Sequence, residues 1–374
     1  MTGVVLATGD LAMDRPDPDT IYDTTRDVLS AADITFGQLE INYASQGTRF
    51  PQARHALLGK PDDIKAIGRA GFDVISFASN HCMDYGNEAL LETVENLEVQ
   101  DIAVVGAGEN IDRARKAAHF TLEDGSKVAF LAYCSILPQD YWATERRPGC
   151  APMRAFTVYE QVEHDQPGTP ARIHTYAHRE DLAAMEADIR AAKEEADVVF
   201  VSHHWGIHFV QAQLADYQRE VARAAIAAGA DCILGHHAHI LKGAEVIDGK
   251  PVFYSLCNFA VDLRMPPDLV KSKGFQEIFV LNPKWHPSAD KTYNFPDDSR
   301  HSMIARFEIE NGELTRAGFL PIFIGGDSVP HILPKEDPRH GEVVDYMELI
   351  TGEAGLNAKY RKAADGMVEV YAEG

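Results

Sequence analysis

Residues 231–239 read Asp231-Cys232-Ile233-Leu234-Gly235-His236-His237-Ala238-His239. A short apolar run ends in three histidines. Upstream the same order recurs: Val198-Val199-Phe200-Val201 leads through Ser202 into His203-His204-Trp205-Gly206. Six of the sixteen histidines fall between positions 203 and 239, where even spreading would place about two. Histidine clusters that each follow an apolar strand are what a metal site built on strand ends looks like. His237 and His239 form a His-x-His pair, and on an extended segment alternate side chains share a face, so both rings are expected on one side. A run of exposed loop histidines is the alternative; the buried strand and the adjacent Gly235 weigh against it. Either His203 or His204 can be a ligand, the other then being packed or outside the ligand set.

Working outward, strands and helices alternate through the first two-thirds of the chain. Apolar runs at Val4–Ala7, Ile34–Leu39, Asp73–Ala78, Ile102–Val105, Lys127–Tyr133, Val198–Val201, Cys232–Leu234 and Val252–Leu256 read as strands. Helical patterns are expected at Asp19–Ala32, Pro61–Ala70, Asn87–Leu97, Asn110–Ala118, Glu180–Ala196, Gln213–Ala228 and His340–Thr351. Hairpins are expected to turn at Asp124-Gly125, Asp248-Gly249 and Asn311-Gly312. Alternation followed by hairpins predicts a layered α/β domain with mixed sheets, not a pure βαβ array. One domain is expected over residues 1–335, with a C-terminal extension over 336–374 that frays after its helix. Two aperiodic stretches, 135–178 and 263–300, read as insertions, as lids and substrate loops often do; plain surface elaboration is the commoner case.

The 374 residues carry 35 Lys and Arg against 57 Asp and Glu, a net charge of −22 with histidine neutral. That balance argues against nucleic acid and against an anionic membrane surface as partners. No basic leader opens the chain, and Val128–Leu137 is too short to span a bilayer, so a soluble, cytoplasmic protein without membrane insertion is expected. Five cysteines without CxxC spacing read as reduced thiols.

Oxygen and nitrogen donors also sit at the C-terminal ends of the earlier strands: Asp10 after Val4–Ala7, Glu40 after Ile34–Leu39, Asn80-His81 after Asp73–Ala78. Each is an ordinary strand-end residue alone, but together they line the edge where open α/β folds bind ligands. In order, the chain presents Gly9-Asp10, Leu39-Glu40 with Asn42, Ser79-Asn80-His81 with Asp84-Tyr85-Gly86, and Gly106-Ala107-Gly108. His204-Trp205-Gly206 follows, then Gly229-Ala230-Asp231 running into Gly235–His239, and Tyr254-Ser255-Leu256-Cys257-Asn258-Phe259. With these pieces, over residues 3 to 262, the chain resembles the CapA family, the poly-γ-glutamate capsule biosynthesis protein type within the calcineurin-like metallophosphatase superfamily. The resemblance implies a four-layer αββα sandwich of mixed sheets. It implies Asp10, Glu40, Asn80, His204, His237 and His239 as metal ligands, with Glu40 bridging and His81 beside the metals but unligated.

The sequence departs from the superfamily pattern in four places. Ala12 stands where Asp-x-His would put a histidine, and Glu40 where a bridging Asp is usual. His208 takes the place of an acidic residue, and Cys257 of a glycine.

The resulting expectation is a hydrolase using one or two divalent ions, Mn, Fe or Zn, to activate water against an amide, ester or phosphoester of a small-molecule or oligomeric anionic substrate. His81 would be the general acid, oriented by Asp84. Arg15 and Arg49 are candidates for clamping a substrate anion, with a surface arginine as likely for each. Trp205, His208 and Asn258 are candidate substrate-facing residues, and for Trp205 simple packing is favoured. The alternative function is an accessory protein in poly-γ-glutamate or capsule biosynthesis that binds polymer or partner without turnover.

Overall fold

The structure, a computed structural model, describes residues 2–373. The strand Val198–His204 is buried along its whole length, as happens when a sheet is covered on both faces. Alternate side chains of it and of its neighbour Lys127–Cys134 enter two cores. Val128, Phe130, Val198 and Phe200 face one; Ala129, Leu131, Val199 and Val201 face the other. The second core lies under the helices Arg179–Glu195 and Asp216–Ala228, which bury Met185, Ile189, Val221 and Ala225 there.

The first core is shared by two mixed sheets. In the larger, Gly3–Ala12 runs parallel to Ile34–Leu39, which is followed by Val74–Ser76 and Ala103–Val105. Its other neighbours are the antiparallel His301–Glu310 and the parallel Asn258–Val261. In the smaller, Lys127–Cys134, Val198–His204, Cys232–His236 and Lys250–Phe253 are parallel, and Ala118–Thr121 and Ala244–Ile247 close the two edges antiparallel. Rings join the sheets: Phe36 stacks on Phe130 at 5.7 Å, Phe130 on Phe200 at 5.0 Å, and Phe200 meets Phe307 edge-on at 5.0 Å. Lys65–Arg69 and Gly86–Glu98 pack on the larger sheet through Ile67, Leu90 and Leu97. The architecture is the αββα sandwich expected.

Several elements differ from expectation. Asp19–Ala32 is not one helix but two single turns, Pro18–Tyr22 and Arg26–Leu29; Pro18 starts one turn and cannot continue another from upstream. Asn110–Ala118 shrinks to Ile111–Ala114, and Ala118–Thr121 becomes a strand. The tail does not fray. Helix Pro338–Glu353 buries Val343, Met347 and Ile350 in the inter-sheet core, and the hairpin Lys359–Lys362/Val368–Tyr371 extends the larger sheet beside Glu313–Ile324. The insertion at 263–300 folds into short helices that give a small core of their own, with Met265, Phe275 and Trp285 packed against Phe209. Among the described residues no helix is long and apolar enough to cross a membrane.

Candidate metal centre

The parallel strands of both sheets deliver their C-terminal ends to one edge. Gly3–Ala12 reaches beyond the apolar run and carries Asp10. Glu40 follows Ile34–Leu39, Ser79–Asp84 follow Val74–Ser76, His204 ends Val198–His204, and His237–His239 leave Cys232–His236. The sheets meet where Asp10 Oδ1 accepts from His236 Nδ1 at 3.1 Å.

Asp10, Glu40 and His204 are buried, and each offers a ligand atom within 4.8 Å of the other two. To one side, His239 Nδ1 lies 3.4 Å from Asp10 Oδ2. To the other, Asn80 Oδ1 is 2.6 Å from His204 Nε2 and 3.1 Å from His237 Nδ1, and these two nitrogens are 3.1 Å apart. Glu40 Oε1 is 3.2 Å from His204 Nδ1. The six residues implied as ligands thus converge in two lobes.

The donor set fits a cation. Asp10 Oδ2 and His204 Nδ1 are buried without a well-directed hydrogen bond, and lone pairs left so are costly. Burial opposes ionisation of Asp10, but the adjacent imidazoles of His236 and His239 outweigh it and hold the carboxyl well below its usual range. Glu40 goes the other way: burial, then the Asp10 charge, push its pKa well up, so a cation is the partner that lets both carboxylates stay ionised. Burial above all lowers His204, His237 and His208, with neighbouring imidazoles adding to it; neutral imidazoles offer lone pairs. Oxygen and nitrogen donors without a thiolate suit a divalent cation.

His237 and His239 do not share an extended segment. Both adopt positive φ, +85° and +54°, so a tight turn after the strand, not strand alternation, aims them; their ring centroids are 6.2 Å apart. Cys257 has φ +67°, the left-handed region that explains why a glycine is expected there and that costs another residue about 1–2 kcal/mol. Its carbonyl accepts from Asp10 N at 3.0 Å, and a Cβ on Gly9 would stand 2.1 Å from that oxygen. Gly9 therefore lets the strand carrying Asp10 approach.

His81 lies beside the cluster. Its Nδ1 donates to Asp84 Oδ2 at 2.7 Å, and Tyr141 donates to Asp84 Oδ1 at 2.6 Å. A carboxylate only accepts, so Nδ1 carries the proton and Nε2 is left for the cavities His81 lines. His208 packs at a tilt against His237 with centroids 3.9 Å apart and borders the same cavities.

The remaining candidates are occupied elsewhere. Arg15 grips Asp262 with Nε and Nη2 at 2.9 and 2.7 Å and also donates to the Asp327 carbonyl; those donors are not free for a substrate anion. Arg49 is held through Nη2 by the carbonyls of Ala53 and Arg54 and lines neither cavity. Trp205 is fully buried, stacked between His203 and Tyr254, with its indole N–H on the Tyr254 carbonyl. Asn258 accepts from His239 Nδ1 at 2.7 Å and donates to Tyr293, so it orients His239 and does not face substrate. The arginine that does border the cleft is Arg54, alongside His55. Neither carried a sequence signal, and nor did Tyr141; each arrives on a loop without periodicity.

A family description, bacterial capsule synthesis protein PGA_cap, matches residues 4–263. The chain is 30% identical to the PGA biosynthesis protein CapA of Bacillus subtilis over 65% of its own length and 57% of that protein, so it spans little more than half of that relative. It is 30% identical to the uncharacterized protein y4sH of Sinorhizobium fredii over 83% of this chain and 80% of that one. Among solved structures, the calcineurin-like phosphoesterase YfkN of Bacillus subtilis aligns over 94% of this chain and 97% of its own, at 13% identity and a TM-score of 0.40.

Proposed function

This chain belongs to the bacterial capsule synthesis protein PGA_cap family, and we propose that it is a cytoplasmic metal-dependent hydrolase of an amide, ester or phosphoester. The observation that carries this reading is the buried convergence of Asp10, Glu40 and His204 next to a histidine, His81, held by a carboxylate and turned toward open space.

Asp10, Glu40 and His239 would hold one ion and Glu40, Asn80, His204 and His237 a second. Bound there, such ions supply Lewis acidity, polarising the scissile group and lowering the pKa of water. The protein's own residues do the rest. Asp84, braced by Tyr141, holds the ring of His81 through Nδ1. Nε2 can then deliver a proton to the departing atom. His208 and His55 border the same space and exclude bulk water from it.

A second reading is supported by the names of relatives, among them a PGA biosynthesis protein and a probable polyglutamine synthesis accessory protein: an accessory role in which polymer is bound and not cleaved. The test is a screen of metal-reconstituted protein against chromogenic esters, anilides and phosphoesters, with His81→Ala and Glu40→Gln as controls. Turnover that Glu40→Gln abolishes and His81→Ala lowers supports the hydrolase. Absence of turnover in protein shown to hold its metal would favour the accessory role.

A further inference from the structure

Beside the metal cluster opens a second, apolar space. Its floor is Ala12 and Val261, and its walls include Phe209, Phe275, Trp285 and Phe295. Glu40, His81, His208 and His239 form its rim toward the cluster, so whatever fills it lies against the reacting centre. Its volume is about 100 Å³ and it is open to solvent, so a ring that needs an enclosed cavity of roughly 150 Å³ can enter it in part. No lysine or arginine lines it. Of the two buried carboxylates that line it, Glu40 belongs to the metal cluster and Asp262 is neutralised by the two-pronged grip of Arg15.

The wall is built for the purpose of holding something apolar. Phe275 and Trp285 are buried, and Trp285 Nε1 is satisfied by the Asn294 carbonyl, at contact distance. The indole therefore presents carbon to the space and no unpaired donor. Phe209 adopts φ +55°, a conformation a bulky residue rarely takes, and lies 5.0 Å from Trp285 and 5.8 Å from His239. Met265, Phe275, Trp285 and Phe295 all follow residue 263, where the family match ends, so this wall is an addition to the shared domain. The neighbouring cleft that His81 also lines is mixed: Gln52, Arg54 and Gln139 offer polar groups there beside Ile136, Leu137 and Pro138.

Resting on the hydrolase reading above, we propose that the pocket receives an aromatic or branched apolar group joined directly to the scissile function. The substrate class is then an amphipathic small molecule, apolar on one side of the cleaved bond and polar on the other, and not a uniformly charged polymer. Water cannot satisfy such walls, and apolar surface removed from it is the source of the selectivity.

The test compares phenylphosphonate with methylphosphonate by calorimetry, on protein whose metal content is measured in the same samples. Burying the ring should make phenylphosphonate bind about 10- to 100-fold tighter. Ile278 also lines the pocket; Ile278→Asn puts an amide in the wall, and Ala12→Leu fills the floor. Each should cut the preference for the phenyl ligand to below about threefold, so a folding failure in one leaves the other to decide. Equal affinity of the two ligands, or no binding of either to metal-loaded protein, overturns the pocket while leaving the metal reading standing. Protein that takes up no metal overturns the hydrolase reading and the substrate class with it.

Discussion

The rings of His203 and His204 lie on opposite faces of one strand. His204 reaches Glu40 and Asn80, whereas His203 is stacked on Trp205 at 4.5 Å and near Tyr133 at 5.8 Å, with both ring nitrogens unpartnered. His204→Ala should weaken metal binding by at least about tenfold, and His203→Phe should leave it unchanged. The phenyl ring keeps the stack and removes an unsatisfied buried polar group, so His203→Phe should also stabilise the fold by about 1 kcal/mol. Metal content and melting temperature of the two variants check this; metal lost from the His203 variant would reverse the assignment of faces.

Purified protein grown with Mn, Fe and Zn should hold one to two ions per chain. His237→Ala and His239→Ala should each lower that number. If a single ion is found, the lobe of Asp10 and His239 should be the empty one, since Ala12 adds no ligand beside it. Elemental analysis before and after chelation measures this, and metal-free protein in every preparation would sink the site.

His81→Ala should keep fold and metal and lower the rate by roughly 10²–10⁴. The loss should be smallest for substrates with good leaving groups, which need no protonation. Tyr141→Phe should act in the same direction but less, because it only braces Asp84. Rates on two substrates of different leaving-group pKa decide the role: an equal loss on both points to electrostatic stabilisation instead.

Metal-free protein should lose stability as the pH falls below about 6.5. His204, His208 and His237 have folded pKa values pushed well down by burial, and His203 is pushed down to about 3. Between those values and 6.5 the unfolded chain binds more protons, so acid favours unfolding. Glu40, raised by burial, works against this as a single group: it favours the fold at low pH and loses that contribution as pH rises through its folded pKa. Four imidazoles should outweigh it. Urea melts at pH 7.5 and 5.5 test the sign; greater stability at 5.5 would contradict it.

Much of this was legible because buried parallel strands announce themselves. Val198-Val199-Phe200-Val201 has no polar residue to confuse its reading, and donors following such runs point to one sheet edge. The tail hairpin was not legible: Lys359-Tyr360-Arg361-Lys362 is an exposed edge strand whose charges look like loop. The turn that aims His237 and His239 escaped as well, since left-handed conformations at non-glycine residues leave no trace in composition. Arg15 and Arg49 looked like anion clamps because sequence does not say which acceptors a guanidinium will meet. The aromatic wall, spread over positions 275, 285 and 295, has no period; only the folded insertion gathers it.

The strand bearing Asp10 lies between Ile34–Leu39 on one side and His301–Glu310 and Asn258–Val261 on the other. Its far-side neighbours are translated roughly 15–60 seconds after it, at about 5–20 residues per second. Until then the first strand has a bare edge, and Asp10 has neither the Cys257 carbonyl nor the histidines around it. The centre is therefore closed only once residues 258–310 have been made. The ion it captures is set by the free metal pool of the compartment in which the chain finishes folding.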